Sequence, residues 1–425
     1  ALAIAGGSAP PTRVTHTPRA DTDPMYSAVH SDRSGRGFVS ADHAAAAHDG
    51  ARTVPFDAAI PLPPGAQLIP MPREAEGLDR AGRARPLGRG RLALAAILRP
   101  GYTRALHPAY RDAPGDALDP LPYAAVAADP SGEIVAAAVP SATPSPEATE
   151  AEPAAGRNAA LRAHPANRLV RQLARCAREY RCRSAQLAFR GGTELPVPLS
   201  APRNERPRVP IDLASGRDER PEEGRVFRPS AADVVELVLE LAAGGPLRVS
   251  FGRACDGEPL LAVRALEEVI RAVRERTDRV DLHLETNGSV PAALRRAIDA
   301  GLDGVTVRLA SARAEVYEVV HGPEAYRWAD VRASLQLAAE RRIRVTVALL
   351  VLPGLTDRPA ETDALVALLG ELPAGTLELR DLGADPLRTL AALPRSSALG
   401  IRALLDRLAE ADHFRMLPAA ERATA

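Results

Sequence analysis

From residue 195 onward, short apolar runs alternate with longer segments in which apolar residues recur at helical spacing. Each run has the length of a buried strand, and each following segment has the period of a helix that packs on one face. The pattern predicts strands at Leu195–Leu199, Leu247–Phe251, Val280–Leu284, Gly304–Leu309, Arg344–Leu352 and Thr376–Leu382. Alternating strands and helices indicate parallel strands with right-handed crossovers.

The composition of these strands refines the fold class. Arg344–Leu352 is almost wholly apolar after its first residue, as expected for a strand that is covered on both faces. We therefore expect an α/β fold, a partial (β/α)6 barrel of the TIM type, over residues 195–415. Ligands of such folds bind at the carboxyl ends of the strands, so candidate site residues are sought there.

The first third of the chain has a different pattern. Short strand-like pieces between turn sequences predict a small β-rich domain over residues 25–140. In one predicted hairpin, Tyr26–Val29 and Gly37–Val39 flank a Ser-Asp-Arg-Ser-Gly turn. A disordered extension, a linker and a connecting helical segment are predicted at 1–24, 141–157 and 158–194.

Charge and cysteine content narrow the classes of partner. The 425 residues include 54 basic and 54 acidic side chains, so no net basic field favours nucleic acid or an anionic membrane. No apolar stretch reaches the length of about 18 residues that predicts a membrane span. The three cysteines, an odd and small number, indicate a reducing compartment. We predict a cytoplasmic protein that binds a small molecule, and the sequence indicates no particular protein partner.

Polar residues and glycines follow the predicted strands. Gly257 and Glu258 follow the second strand, where the glycine lets a ligand approach the backbone and the glutamate can hold an ammonium group. A simple turn with Pro259 at the first helical position explains this stretch equally well. Further polar loops begin at Glu285, Arg308, Leu352 and Arg380. Five such loops converging at one barrel mouth indicate a binding site.

These stretches resemble the radical S-adenosylmethionine (radical SAM) superfamily, and the resemblance covers residues 195–385. It is carried by Phe251–Leu261, Leu284–Gly288, Ala300–Asp303, Val307–Ser311 and Val351–Asp357. The resemblance implies a partial barrel of six strand–helix units, in a subgroup with an N-terminal β-rich extension. It also implies two cofactors, S-adenosylmethionine and a [4Fe–4S] cluster.

The resemblance assigns candidate roles to five residues. Gly257 and Glu258 would contact the methionyl amino group of S-adenosylmethionine. Asn287, Arg308 and Ser311 are candidates for its carboxylate and ribose. Arg308 suits a carboxylate because a guanidinium can donate two parallel hydrogen bonds, although pairing with a local acid is an equally good interpretation in so arginine-rich a chain.

The defining element of the family is a C-x3-C-x2-C motif after the first strand, which holds the cluster. The best match to this spacing places Arg203, Pro207 and Pro210 at the three ligand positions. A protonated guanidinium has no lone pair to offer and proline has no ligating side chain, whereas cluster iron needs thiolates. We therefore expect the cluster ligands to be missing. The protein would then bind S-adenosylmethionine or a nucleoside-like ligand in a non-catalytic or regulatory role.

Two alternatives stay open at this point. An active enzyme could use an atypical cluster built from Cys176, Cys182 and Cys255, or run non-radical chemistry at the barrel mouth. A scaffold would instead have its mouth filled by the arginine- and proline-rich loop 200–228. The sequence assigns no catalytic residue and no metal ligand.

Overall fold

A computed structural model of the chain provides the coordinates. It describes residues 26–57, 59–99, 101–111, 117–141, 154–180, 182–189, 193–199, 201–208, 211–212, 227–252, 257–372, 375–411 and 414–416. All structural statements concern these ranges. The predicted extension 1–24, Cys255 and Pro210 lie outside them.

The N-terminal region is an antiparallel β-structure. Its strands are β1 Ser27–Ser31, β2 Gly37–His48, β3 Thr53–Pro55, β4 Ala59–Pro61, β5 Gln67–Glu74, β6 Glu76–Leu78, β7 Ala84–Pro86, β8 Leu92–Ile97, β9 Tyr102–Arg104, β10 His107–Pro108, β11 Tyr123–Ala128 and β12 Ile134–Pro140. The order β4-β12-β11-β8-β1-β2-β6-β7 forms the main path of the sheet. The predicted hairpin is confirmed, because β1 and β2 pair in antiparallel orientation and place His30 opposite Phe38.

Three helices connect this region to the second sheet: α1 Ala154–Ala163, α2 Arg168–Glu179 and α3 Arg183–Leu187. The first begins within the segment predicted as a linker. Asn167 caps α2 by accepting a hydrogen bond from the Val170 amide at 3.1 Å. The apolar face of α2, which includes Leu169 and Leu173, is buried in the core shared with the second sheet.

The second sheet is parallel and carries the predicted strand–helix repeat. Its strands, in spatial order, are β13 Glu194–Val197, β15 Arg248–Phe251, β16 Asp281–Thr286, β17 Gly304–Leu309, β18 Arg344–Val351, β19 Thr376–Asp381 and β21 Arg415–Met416. A small antiparallel pair joins β14 Ile211–Asp212 to β20 Gly383–Ala384. The α/β fold and the N-terminal β-rich region are thus confirmed. The short β21 adds a seventh strand to the six that were predicted.

The helices that follow the strands are α4 Ala231–Ala243, α5 Val263–Arg274, α6 Pro291–Asp299, α7 Ala314–His321, α8 Trp328–Glu340, α9 Pro359–Gly370, α10 Pro386–Ala391 and α11 Ile401–Ala409. The apolar faces of α4, α5, α6, α8, α9 and α11 pack on one face of the parallel sheet. Apolar residues of α7 and α10 instead form a separate cluster with Leu350 and Leu382. The helix-covered face of the sheet is built from every second residue of the strands, for example Val305 and Val307 in β17, and these residues share one buried core with Leu266 and Leu335 of the helices. The intervening residues therefore point to the opposite, concave face.

The N-terminal region packs on the carboxyl ends of β18 and β19. Arg104, whose side chain is fully buried, donates hydrogen bonds to the carbonyl oxygens of Val351, at 3.4 Å, and Leu382. His107 donates from Nε2 to the carbonyl oxygen of Pro353 at 2.9 Å. Gly354 lies so close to Gly50 that a Cβ on Gly354 would stand 2.6 Å from the Gly50 Cα. This contact closes one side of the barrel mouth.

Within the described ranges, no helix is both long enough and apolar enough to cross a bilayer.

Candidate functional site

Polar side chains line the concave face of the parallel sheet. They occupy alternate strand positions, in register across the ladder: Ser250, His283, Glu285, Thr306, Arg308, Thr346, Thr376, Glu378 and Arg380. Some of these side chains form hydrogen bonds between neighbouring strands, for example His283 Nε2 with Thr306 Oγ1 at 2.8 Å. Burial lowers the pKa of His283 to about 4, so its imidazole is neutral. The interior of this barrel is therefore polar, whereas the interiors of most TIM barrels are filled by branched apolar residues.

The upper part of this face holds a buried ion-pair network. Arg380 donates to both carboxylate oxygens of Glu285, at 2.8 and 3.2 Å, and to Glu378 at 2.8 Å. Arg308 Nε lies 3.9 Å from Glu285 Oε1. All four side chains are at least nine-tenths buried. The sequence prediction placed Arg380 only at the start of a polar loop and assigned no role to Glu378.

Glu258 lies above this network and its carboxylate is turned toward the backbone. Oε1 accepts from the Leu260 amide at 3.0 Å and from the Thr286 hydroxyl, and Oε2 accepts from the Asn287 amide at 2.8 Å. Burial raises the pKa of Glu258 to about 7, against the lowering effects of these bonds and of the Arg308 charge. The carboxyl group is therefore protonated in a large fraction of molecules at neutral pH.

Asn287 connects the end of β16 to the segment after β13. Its Nδ2 donates to Asn204 Oδ1 at 2.9 Å, and its Oδ1 accepts from the Ser289 amide at 3.0 Å. Asn204 in turn donates to the Ser289 hydroxyl at 3.0 Å. This closed set of bonds explains why Asn287 is almost fully buried at the barrel mouth.

Glu205 and His321 form a second polar contact at the mouth. His321 Nε2 accepts from the Ala310 amide at 3.1 Å, so that nitrogen carries no proton. Nδ1 is then the protonated nitrogen, and it donates to Glu205 Oε1 at 2.8 Å. Tyr326 donates to the same oxygen at 3.4 Å. Burial raises the pKa of Glu205, but the His321 bond and the Arg308 charge outweigh it, so the net shift is downward.

Ser311 has other partners. Its hydroxyl donates to the buried carboxylate of Glu361, in the first turn of α9, and accepts from the Arg313 amide at 3.0 Å. These contacts connect Gly257, Glu258 and Asn287 to one another or to the segment after β13, whereas Ser311 is connected to α9.

That segment holds two of the predicted cluster positions. Arg203 is exposed and Pro207 is half-buried. A guanidinium and a pyrrolidine ring cannot ligate iron, so this donor set does not fit a [4Fe–4S] cluster. Among the described residues, no group of three or more His, Cys, Asp and Glu side chains is arranged to hold a metal ion.

Two of the three cysteines lie in the connecting helices. The Arg168 amide, at the start of α2, donates to Asp233 in the first turn of α4 at 3.1 Å. That end of α4 lies toward the carboxyl ends of the strands, because α4 returns antiparallel to them. Cys176 is eight residues, or about 12 Å, further along α2 and is buried in the core. Cys182 caps α3 by accepting from the Ala185 amide at 3.4 Å.

Comparison with known proteins supplies the family. Residues 209–366 match the family model described as the radical SAM superfamily. No curated protein matches the chain. Similar solved structures include SuiB of Streptococcus suis bound to its precursor peptide SuiA. SuiB is 11% identical to this chain, with a TM-score of 0.38, and the similarity covers 58% of this chain and 52% of SuiB. The chain spans about half the length of the SuiB structures.

Two further structures show the range of these similarities. Methylornithine synthase (PylB) is 13% identical, with 66% of this chain and 87% of that chain covered and a TM-score of 0.34. The methyltransferase TsrM from Kitasatospora setae, with cobalamin and a [4Fe–4S] cluster bound, is 20% identical, with 43% and 34% covered and a TM-score of 0.29. The family model itself matches from the loop after β13 to α9. The chain therefore carries a domain of the radical SAM superfamily over residues 209–366.

Proposed function

We propose that this radical SAM-fold protein has lost the [4Fe–4S] cluster and binds S-adenosylmethionine, or a nucleoside-like ligand, in a non-catalytic or regulatory role. The observation that carries the proposal is the donor set after β13, where Arg203, Pro207 and Pro210 stand at the family's cysteine spacing. Without thiolates, this loop has no group that can anchor cluster iron.

The ligand part of the proposal rests on the strand ends. Asn287, at the end of β16, offers an amide, and Arg308, near the end of β17, offers a guanidinium that suits a carboxylate. Glu258 offers a buried carboxyl group that fixes the neighbouring turn through the Leu260 and Asn287 amides. These three groups support recognition of the amino-acid end of S-adenosylmethionine.

Cluster loss is tested by anaerobic reconstitution with iron and sulfide, followed by analysis of bound iron and acid-labile sulfide. We expect the natural chain to retain no stoichiometric cluster. The matched control is the triple variant Arg203→Cys/Pro207→Cys/Pro210→Cys, which restores thiolates at the family spacing. A brown, reducible natural chain that converts S-adenosylmethionine to 5′-deoxyadenosine would refute the proposal.

Ligand binding is tested by calorimetric titration with S-adenosylmethionine, methionine and adenosine. The variant Arg308→Gln should lower the affinity for S-adenosylmethionine and methionine by about tenfold or more, since a charge-assisted contact to the carboxylate is lost. Its affinity for adenosine should stay the same. Arg296→Gln serves as a control, because Arg296 lies on the surface of α6 and pairs with Glu267. Absence of binding of all three ligands would refute the ligand part.

The active-enzyme alternative makes a separate prediction. If the thiols assembled a cluster, Cys255→Ala would abolish both iron retention and cleavage of S-adenosylmethionine. Cys176 is on the buried face of α2 and Cys182 caps α3. Both are thus engaged in the connecting helices rather than in the loop after β13, which favours cluster loss over this alternative.

A further inference from the structure

The segment 201–208, here called the mouth segment, packs its backbone directly on the predicted ligand turn. The amide of Glu258 donates to the carbonyl oxygen of Pro202 at 2.9 Å. Gly257 has a positive φ of 79°, and a Cβ on it would lie 2.2 Å from the carbonyl oxygen of Ala201. A ligand cannot approach the backbone of Gly257 from the side that the mouth segment occupies.

A side chain of the mouth segment, that of Asn204, is hydrogen-bonded to Asn287, which is the next of the predicted ligand residues. Asn204 exchanges hydrogen bonds with Asn287 and Ser289 at 2.9 and 3.0 Å. The donor Nδ2 of Asn287 and its acceptor Oδ1 are both engaged, the latter by the Ser289 amide. Nδ2 of Asn287 carries two hydrogens. One is donated to Asn204, and a side-chain bond from Asn287 helps to lower the pKa of Glu205. A ligand that accepts from Asn287 must therefore compete with the mouth segment for these hydrogens.

Glu205 places a carboxylate at the same mouth. It is held by His321 and Tyr326, and the positive charge of Arg308 stabilises its ionised form. Its side chain is only 14% exposed. The mouth segment thus brings a carboxylate of its own chain to the barrel mouth.

The far end of the mouth segment is also fixed. The Arg206 amide donates to the Gly322 carbonyl, and the Glu324 amide donates to the Asn204 carbonyl, both at 2.8 Å. Gly322 leaves no room for a side chain, since a Cβ there would lie 1.9 Å from the carbonyl oxygen of Arg206. Backbone bonds on both sides therefore hold Asn204 and Glu205 in place.

We infer that the mouth segment is an autoinhibitory element: it occupies the ligand site of its own barrel, and a ligand binds only when the segment is displaced. This inference rests on the proposed function, because it concerns the same site. Of the five predicted ligand residues, Gly257, Glu258 and Asn287 contact the segment directly.

The test compares binding of S-adenosylmethionine to the full chain and to variants with a weakened mouth segment. Asn204→Ala/Glu205→Gln removes the side-chain contacts but keeps an acceptor for His321. Gly322→Ala pushes the Arg206 carbonyl away without altering any predicted ligand residue. Arg208→Ala is the control, because it lies in the same segment with an exposed side chain and leaves the backbone bonds in place.

We expect both weakened variants to bind S-adenosylmethionine at least tenfold more tightly than the natural chain, as removal of a closed state populated above about 90% requires. Saturating ligand should also speed amide hydrogen exchange at Arg206 and Glu324 in the natural chain. Equal affinities in all chains, with unchanged exchange, would overturn the inference and leave the proposed function standing. If no chain binds the ligand, the proposed function fails, and the inference fails with it.

Discussion

Replacement of Arg104 by methionine tests the contact between the N-terminal region and the barrel. The side chain of Arg104 is fully buried and donates to the carbonyl oxygens of Tyr123, Val351 and Leu382. Its Nε lies 3.9 Å from Asp381 Oδ1. Methionine keeps much of the volume but removes the side-chain donors. The buried carbonyl groups then lose this partner, and the Asp381 carboxylate keeps only the hydrogen bond from the amide of residue 104.

The magnitude follows from these partners. Removing one member of a buried charged pair costs about 3–5 kcal/mol of unfolding free energy, and each orphaned carbonyl group adds about 1–3 kcal/mol unless water reaches it. We expect a loss of about 3–5 kcal/mol near neutral pH, because local relaxation offsets part of the sum.

The loss should depend on pH. Burial raises the pKa of Asp381 from 3.8 to about 6, against the charge of Arg104. A carboxyl group with a raised folded-state pKa contributes stability that is complete below the unfolded pKa and is lost as pH rises through the folded one. Without Arg104 this pKa rises further. The variant should therefore be closest to the natural chain at about pH 5 and furthest from it above about pH 7.

Urea unfolding, followed by circular dichroism and by the fluorescence of Trp328, measures the effect. Trp328 is the one tryptophan of the chain and is buried at the start of α8 in the barrel. The control Arg85→Met removes a half-exposed arginine that pairs with Asp79, and it should cost less than about 1 kcal/mol. A loss below about 1 kcal/mol for Arg104→Met, with no dependence on pH, would refute the reasoning.

Two further changes test other contacts. His164 bonds to Glu236 and Glu240 of α4, and these bonds raise its pKa. The contribution of His164 to the unfolding free energy is thus present below about pH 6.5 and is lost as pH rises through the raised pKa. In urea titrations, His164→Gln should remove this pH dependence and about 0.5–1 kcal/mol of stability at low pH. An unchanged pH dependence would contradict this prediction. Gly354→Ala adds a Cβ that lies 2.6 Å from the Gly50 Cα, at a residue whose φ is 82°. The melting temperature should therefore fall, with a loss of about 2–4 kcal/mol of unfolding free energy. An unaltered melting curve would contradict the close approach of the two glycines.

The strand–helix repeat was predictable because apolar periodicity is a local signal. The predicted strand Gly304–Leu309 coincides with β17, and the other strands differ by one or two residues at their ends. The polar concave face was also visible in principle. Strand β19 reads Thr-Leu-Glu-Leu-Arg-Asp, and strict alternation of this kind indicates a strand with one apolar and one polar face.

Other features depend on distant partners and left no local signal. Glu205 and His321 are 116 residues apart, so neither position alone indicates a contact. Arg104 is one of many arginines, and its burial against β19 follows from how the two regions pack. The predicted ligand roles of Gly257, Glu258, Asn287, Arg308 and Ser311 stay predictions, as do the domain boundaries and the cytoplasmic location.

The contact of Arg104 also sets an order of events during synthesis. The carbonyl group of Leu382 lies 278 residues further along the chain. At about 5–20 residues per second, a ribosome needs roughly 15–55 s to deliver it after Arg104 has emerged. For most of that interval neither β18 nor β19 has been made, and of the carbonyl partners of Arg104 only that of Tyr123 is available. The N-terminal sheet can therefore complete its docking against the barrel only late in translation.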